Sequence, residues 1–190
     1  MTVTLDIRAD INKLTRDLTV IQKRSVPKVT ARAINETLVN ARSQAIKEVS
    51  SDLRLAQKWV RYRHTIHGEK KGERAVLRKA NAGNLVGTMN VYMRGIPVHY
   101  IAGKQTKVGV KARGGRLYRS AFKAVSRKTG AELVLKRRGA GTRKLMMPKI
   151  GVRTALNERI ERYATSASGI ATFRRRWERL LQHELNRIGG

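Results

Sequence analysis

The sequence predicts an α+β fold, with long N- and C-terminal helices packed on a small antiparallel β-sheet that carries basic loops. Three observations predict it. Apolar residues recur at helical spacing near both ends, in Val29, Ala33, Ile34, Leu38, Ala41, Ala45, Ile46 and Val49, and again in Ile170, Phe173, Trp177, Leu180, Leu181, Leu185 and Ile188. The middle consists of short apolar runs broken by glycine, with an alternation of period two at Lys107–Lys111. Helices, strands and helices also come in blocks, which is the order of an α+β chain rather than an alternating one. A single domain, 1–190, is expected, with a helical part at 1–64, a strand-and-loop part at 74–150 and C-terminal helices at 152–188.

Ile11, Leu14, Leu18 and Ile21 stand at helical spacing behind Asp10, a residue suited to an N-cap, so a first helix is expected within 1–22. Pro27 suits the first turn of a second helix that opens after Ser25 or Val26 and runs to Ser50. Ser50-Ser51-Asp52 reads as a break and a new cap, and 53–64 as a short helix carrying Trp59 and Tyr62. Strands are expected in Ala75–Leu77, Leu85–Met93, Ile96–Ile101 and around Val108 and Val110, the two valines sharing one half-buried face. Arg119–Ser126 and Glu132–Arg138 flank Arg127-Lys128-Thr129-Gly130, a turn sequence that closes on glycine, and read as a β-hairpin. Lys111–Arg116 and Arg137–Lys144 are basic, contain glycine and hold few apolar residues; both read as mobile loops. Val152, Leu156, Ile160 and Tyr163 begin the C-terminal helices, Thr165–Gly169 interrupts them, and Gly189-Gly190 stops them.

Charge is distributed unevenly. Of the net +29, residues 74–157 carry +19, from 20 Lys and Arg against the single acid Glu132. Residues 1–73 carry +7 and residues 158–190 carry +3. A folded segment with that field repels itself, and its natural partner is a polyanion or an acidic protein surface. There is no cysteine, so disulfides and thiolate metal sites are excluded. The opening, MTVTLDIRADINKL, lacks a basic region followed by an apolar stretch, so a secretory signal is not expected. No apolar run approaches the roughly 18 residues of a membrane span.

Motifs for chemistry are weak. His64 and His67 would share a helical face, but no third ligand stands at a recognised spacing, so no metal is expected. Gly139 to Lys144 superficially resembles a phosphate loop without its full pattern, and no cofactor is expected. Catalysis by paired carboxylates lacks the carboxylates, and Glu158 and Glu161 read better as ion-pair partners of nearby arginines. The chain is therefore not expected to be an enzyme. It has no zinc-finger spacing and no basic region ahead of leucine heptads, and its few aromatics do not suit stacking on single strands. Any contact with DNA would be to phosphates rather than bases. The candidate DNA- or partner-contacting residues are Lys111, Arg113 and Arg116, then Arg137, Arg138, Arg143 and Lys144, then Arg174, Arg175 and Arg176. For the last three, a solvated helix face and a docking edge are both open.

Ser25-Val26-Pro27, then Ala33-Ile34-Asn35 and an alanine-bearing helix to Val49, resemble the opening of the minor tail protein Z family of tailed bacteriophages. The basic stretch that follows, the hairpin from Ala121-Phe122 to Leu135, Met147-Pro148-Lys149-Ile150 and Leu181-Gln182-His183-Glu184-Leu185 are similar too, in the same order. The resemblance covers most of residues 20–188. It implies a structural virion protein of a long non-contractile tail, assembled in the host cytoplasm, that completes the head-proximal end for joining to the head and holds the leading DNA end. It further implies a hexameric ring among neighbours such as the tail terminator, the tail tube protein, the end of the tape measure protein and the viral DNA end. No catalytic residue is implied. The alternative is a non-specific nucleic-acid-binding protein of ribosomal or nucleoid type.

Overall fold

The computed structural model describes residues 2–5, 20–64, 70–139 and 143–189. Strand β1 (Thr2–Leu5) is followed by helix α1 (Val20–Asp52), the short helix α2 (Gln57–Arg61) and strands β2 (Tyr62–His64), β3 (Lys70–Glu73), β4 (Ala75–Arg78), β5 (Gly87–Val91) and β6 (Ile96–Pro97). A 3-10 turn (Val98–Ile101) leads into β7 (Ala102–Thr106), β8 (Gly109–Ala112), β9 (Leu117–Arg119), β10 (Ala121–Val125) and β11 (Glu132–Arg137). Strands β12 (Leu145–Met146) and β13 (Lys149–Ile150) precede helices α3 (Arg153–Thr165) and α4 (Ala167–Gly189). The fold is α+β, as the sequence predicts. Among the described residues the strands form five small antiparallel sheets rather than one, because glycines and turns keep each strand to two to six residues. No described helix is long and apolar enough to cross a membrane.

Two compact units emerge. The first comprises Met1–Ala45, Ala75–Val91 and Ala155–Gly190; the second comprises Ile46–Arg74 and Tyr92–Thr154. In the first, β5 lies between β1 and β4, with Met89 opposite both Val3 and Leu77. Met89 is fully buried with Ile34 and Leu38 of α1, Leu156 and Ile160 of α3, and Phe173 and Trp177 of α4. A Cβ at Gly87 would stand 2.7 Å from Leu38 Cδ1 and 2.8 Å from Ile34 Cγ2, so glycine lets the sheet close on α1. Asn35 ties the two together as a strand would: its amide donates to the Ala80 carbonyl at 3.0 Å and its Oδ1 accepts from the Ala80 N–H at 2.8 Å. The Trp177 indole N–H donates to Thr30 Oγ1 at 2.9 Å, both side chains being buried.

The predicted helix boundaries change. Helix α1 begins at Val20, so Pro27 lies inside it rather than at its first turn. An interior proline forfeits one backbone hydrogen bond and costs about 3 kcal/mol; burial of Val26, Val29, Ile34 and Leu38 along the same helix works against that cost. Helix does not extend to the start of the chain, since Thr2–Leu5, whose Thr-Val-Thr run favours extended backbone, pairs with β5. The stripe Ile11–Leu18 and its cap Asp10 lie outside the described residues. Ser50-Ser51-Asp52 is not the expected break and cap but the last part of α1; the chain turns after Asp52, and the short helix that follows has Ala56 at its N-cap and ends at Arg61, which leaves Tyr62 on a strand.

In the second unit β2 pairs with β3, β6 with β13, and two three-stranded sheets run β7-β8-β9 and β10-β11-β12. The β10–β11 hairpin stands where the sequence predicts it, and Gly130 occupies its turn with a left-handed φ of 66°. Gln105 links the two sheets, its Oε1 accepting from the Lys123 N–H at 2.9 Å and its amide reaching the Ala121 carbonyl at 3.4 Å. Val108 and Val110 do not share a face. Val110 is fully buried on β8, whereas Val108 sits in the turn from β7 and is 55% exposed. Ile96–Ile101 is only a two-residue strand before the 3-10 turn.

Candidate nucleic-acid interface

The basic side chains of the middle segment are presented by strand alternation and tight turns. On β8, Val110 and Ala112 point inward and Lys111 outward. Beyond it, Arg113 to Arg116 form a closed turn rather than an open loop: the Ala112 N–H donates to the Arg116 carbonyl at 2.8 Å and the Gly115 N–H to the Ala112 carbonyl at 3.0 Å. Gly115, at φ 84°, supplies the left-handed residue that the turn needs. Arg113 and Arg116 project from it, exposed, with the Arg116 guanidinium 5.8 Å from the Tyr118 ring centre. Burial raises the Tyr118 phenol above its ordinary pKa, and Arg116 opposes the rise.

Arg137 ends β11, and the Arg138 N–H donates to the Lys144 carbonyl at 3.0 Å, just beyond the pairing of Arg137 with Leu145. This connection is therefore drawn together at its base as a hairpin, not left as a free loop; residues 140–142 lie outside the described residues. Arg137, Arg138, Arg143 and Lys144 are exposed. The chain continues into strand β12, so the helix that a phosphate-binding loop would open is not there. His64 is on strand β2, which removes the shared helical face inferred for it and His67; His67 lies outside the described residues.

Glu132, the one acid of the segment, faces Lys123 across the β10–β11 hairpin with Nζ and Oε1 2.5 Å apart. Neutralisation of the segment's other cations must come from elsewhere. Arg174, Arg175 and Arg176 belong to the first unit, on α4 between buried Phe173 and Trp177, so the apolar stripe of this helix is core. Arg174 and Arg175 are exposed; Arg176 is half-buried in a groove it shares with Glu36, Asn40 and Lys79. Arg179 approaches Glu36 at 3.6 Å, and Glu36 also pairs with Arg32 at 3.2 Å.

The second unit also holds a basic feature that sequence reasoning misses. Arg74 is 2% exposed and donates only to backbone carbonyls: Nε to Val60 at 3.2 Å, Nη2 to Tyr62 at 3.1 Å and to Trp59 at 3.5 Å, and Nη1 to Arg94. Desolvation, with help from nearby Arg63, lowers its pKa from the ordinary guanidinium range to about 10. Arg63, Arg94 and Lys149 line a cleft beside it.

No curated protein and no solved structure matches the chain. The family model for prophage minor tail protein Z matches residues 10–187, which takes in α1, every strand except β1, and both C-terminal helices up to Arg187. With that match added to an α+β fold whose charge is concentrated on short hairpins, the chain belongs to the prophage minor tail protein Z family, structural proteins of phage tails.

Proposed function

We propose that the protein completes the head-proximal end of the tail, where it assembles as a ring, prepares the tail to join the head and holds the leading DNA end by phosphate contacts. The observation that carries this reading is the net +19 of residues 74–157, with a single acid already engaged by Lys123. Such a surface calls for an external polyanion, and DNA at the tail entrance is the polyanion that a tail protein of this family would meet. Six copies at +29 each would set a strongly positive wall around the channel. In this reading the β8–β9 and β11–β12 hairpins face the DNA, while the tail terminator, tail tube and tape measure protein take the remaining surface. Phosphate contacts of this kind hold DNA without reading its sequence.

The test is a phage carrying Arg137→Ser, Arg138→Ser, Arg143→Ser and Lys144→Ser together. All four side chains are exposed, so folding should be retained. Tails should assemble, while head joining or retention of the DNA end falls sharply in a joining assay. Variant tails that join heads and eject DNA at the parental rate would refute the assignment of these hairpins. Electron microscopy of the intact particle reports the ring and its position directly.

A further inference from the structure

The cleft beside Arg74 is a second cationic site, separate in sequence from the two hairpins. It has a volume of about 290 Å³ and is lined by Arg63 and His64 of β2, Arg74, Arg94 of the link from β5 to β6, and Lys149 of β13. None of the described residues lining it is Asp or Glu. These cations come from separate stretches of chain, and the structure holds them together through backbone. Arg74 bonds the carbonyls of Val60, Tyr62 and Arg94, and so ties the start of β2 to the β5–β6 link. Lys149 pairs with Pro97 in the β6–β13 ladder. Gly95 allows the close approach, because a Cβ there would stand 2.8 Å from the Ile150 carbonyl oxygen and 3.0 Å from Lys149 Cβ.

Arg63 is oriented as well. Its guanidinium lies 4.1 Å from the centre of the Tyr92 ring, and its Nε is buried without a hydrogen-bond partner. A cationic stack on an aromatic face fixes the guanidinium plane and leaves its in-plane N–H groups available to an acceptor. The depressed pKa of Arg74 reflects the burial of its guanidinium, to which the nearby Arg63 cation adds.

We propose that this cleft is an oxyanion site that takes a phosphate group. Cations that line one cleft from several chain segments suit a tetrahedral, multiply charged oxyanion, whereas a planar carboxylate is satisfied by one guanidinium fork. A cleft of about 290 Å³ admits a phosphate with its ester carbons, and at the surface of the second unit a phosphodiester of a nucleic-acid strand can reach it without the bases entering. The site stands on its own geometry and not on the hairpins, so it survives if the DNA-facing role of the hairpins fails.

The test titrates inorganic phosphate into the isotope-labelled full chain while arginine Nε–H resonances are followed. The expected result is a saturable shift of the Arg63 signal. The exposed pair Arg94→Gln and Lys149→Gln should weaken phosphate binding about tenfold or more, as loss of charge-assisted bonds requires. The fourfold serine variant of the β11–β12 hairpin should leave it unchanged. Displacement of phosphate by a short oligonucleotide supports a nucleic-acid source, and retention of phosphate against the oligonucleotide supports a free-phosphate site. The proposal is overturned if no saturable shift occurs, if the Arg94/Lys149 variant binds phosphate as the parent does, or if a glutamate peptide occupies the site more tightly than phosphate.

Discussion

Arg74→Met removes a buried cation together with the hydrogen bonds that hold four carbonyls. Three of these, to Val60, Tyr62 and Arg94, are close contacts, and the fourth, to Trp59 at 3.5 Å, is marginal. A hydrogen bond with a charged donor contributes about 1.5–3 kcal/mol, so the three together contribute roughly 5–9 kcal/mol. Against this stands the cost of keeping the cation dehydrated. The fall in pKa from the ordinary guanidinium range to about 10 corresponds to about 3 kcal/mol. The difference is a destabilisation of about 2–6 kcal/mol, enough to lower the melting temperature by roughly 4–24 °C in a chain of this size. Circular dichroism melts of parent and variant measure it directly. The sign of the pH effect is also set. Arg74 binds its proton more weakly folded than unfolded, so its charging cost is full below pH 10 and is relieved in the window above about pH 10. The stability gap between parent and Arg74→Met should widen as pH rises through that window. Arg74→Lys should recover less than half of the loss, because one ammonium cannot span carbonyls at residues 60, 62 and 94. A Met variant that melts within about 1 °C of the parent, or full rescue by Lys, would refute the bridging role.

Trp177→Phe deletes the buried bond to Thr30 and part of the indole volume, and should cost about 1–3 kcal/mol in urea denaturation without a change in slope. Gly109→Ala should part β9 from β8, because the added Cβ lands on the Tyr118 carbonyl oxygen; faster amide exchange at Val110 and Tyr118 reports it. Gly169→Ala drives a Cβ onto the Tyr163 carbonyl oxygen at the α3–α4 junction and should lower soluble yield, whereas Gly151→Ala, which meets nothing, should not. The fourfold serine variant at residues 137, 138, 143 and 144 should flatten the salt dependence of duplex binding by up to about 3.6 in log–log slope, since each lost phosphate contact removes about 0.9.

What was legible in the sequence was periodic. The stripe from Val29 to Val49 announces α1, and Phe173, Trp177 and Leu181 announce α4, because one helical face is buried over many turns. The β10–β11 hairpin is legible because its turn ends in a glycine that adopts a positive φ. The start of α1 was not legible, since a proline is normally read as a first-turn residue and tertiary packing overrides that preference. Val108 was missed because a turn ends the alternation one residue before β8. The candidate arginines and lysines of the middle segment could be named from charge and glycine alone, but not the closure of their turns, which depends on backbone bonds such as that from Ala112 to Arg116. Arg74 and its cleft were invisible for a different reason. The acceptors lie at residues 59–62 and 94, and nothing in the sequence marks one arginine among 42 Lys and Arg as the one that gathers them.

The arrangement of charge bears on how such a protein would hold DNA. Reading bases requires an element that enters a groove and presents a fixed row of side chains to base edges. In the second unit α2 has five residues, and the candidate cations stand at the ends of short hairpins, three or four to a hairpin. A cation at the end of a long side chain gains most of its phosphate energy from counterion release, which depends on the number of contacts and hardly on their register. Because Glu132 is engaged by Lys123, an approaching phosphate meets no competing acid from the rest of the segment. Under the proposed function this combination lets DNA of any sequence be held and still slide, since moving along the strand exchanges one phosphate contact for an equivalent one. A fixed oxyanion cleft differs in kind: its cations are tied to one another by backbone, so it would retain a single phosphate at a defined place while the hairpins grip the neighbouring strand without register.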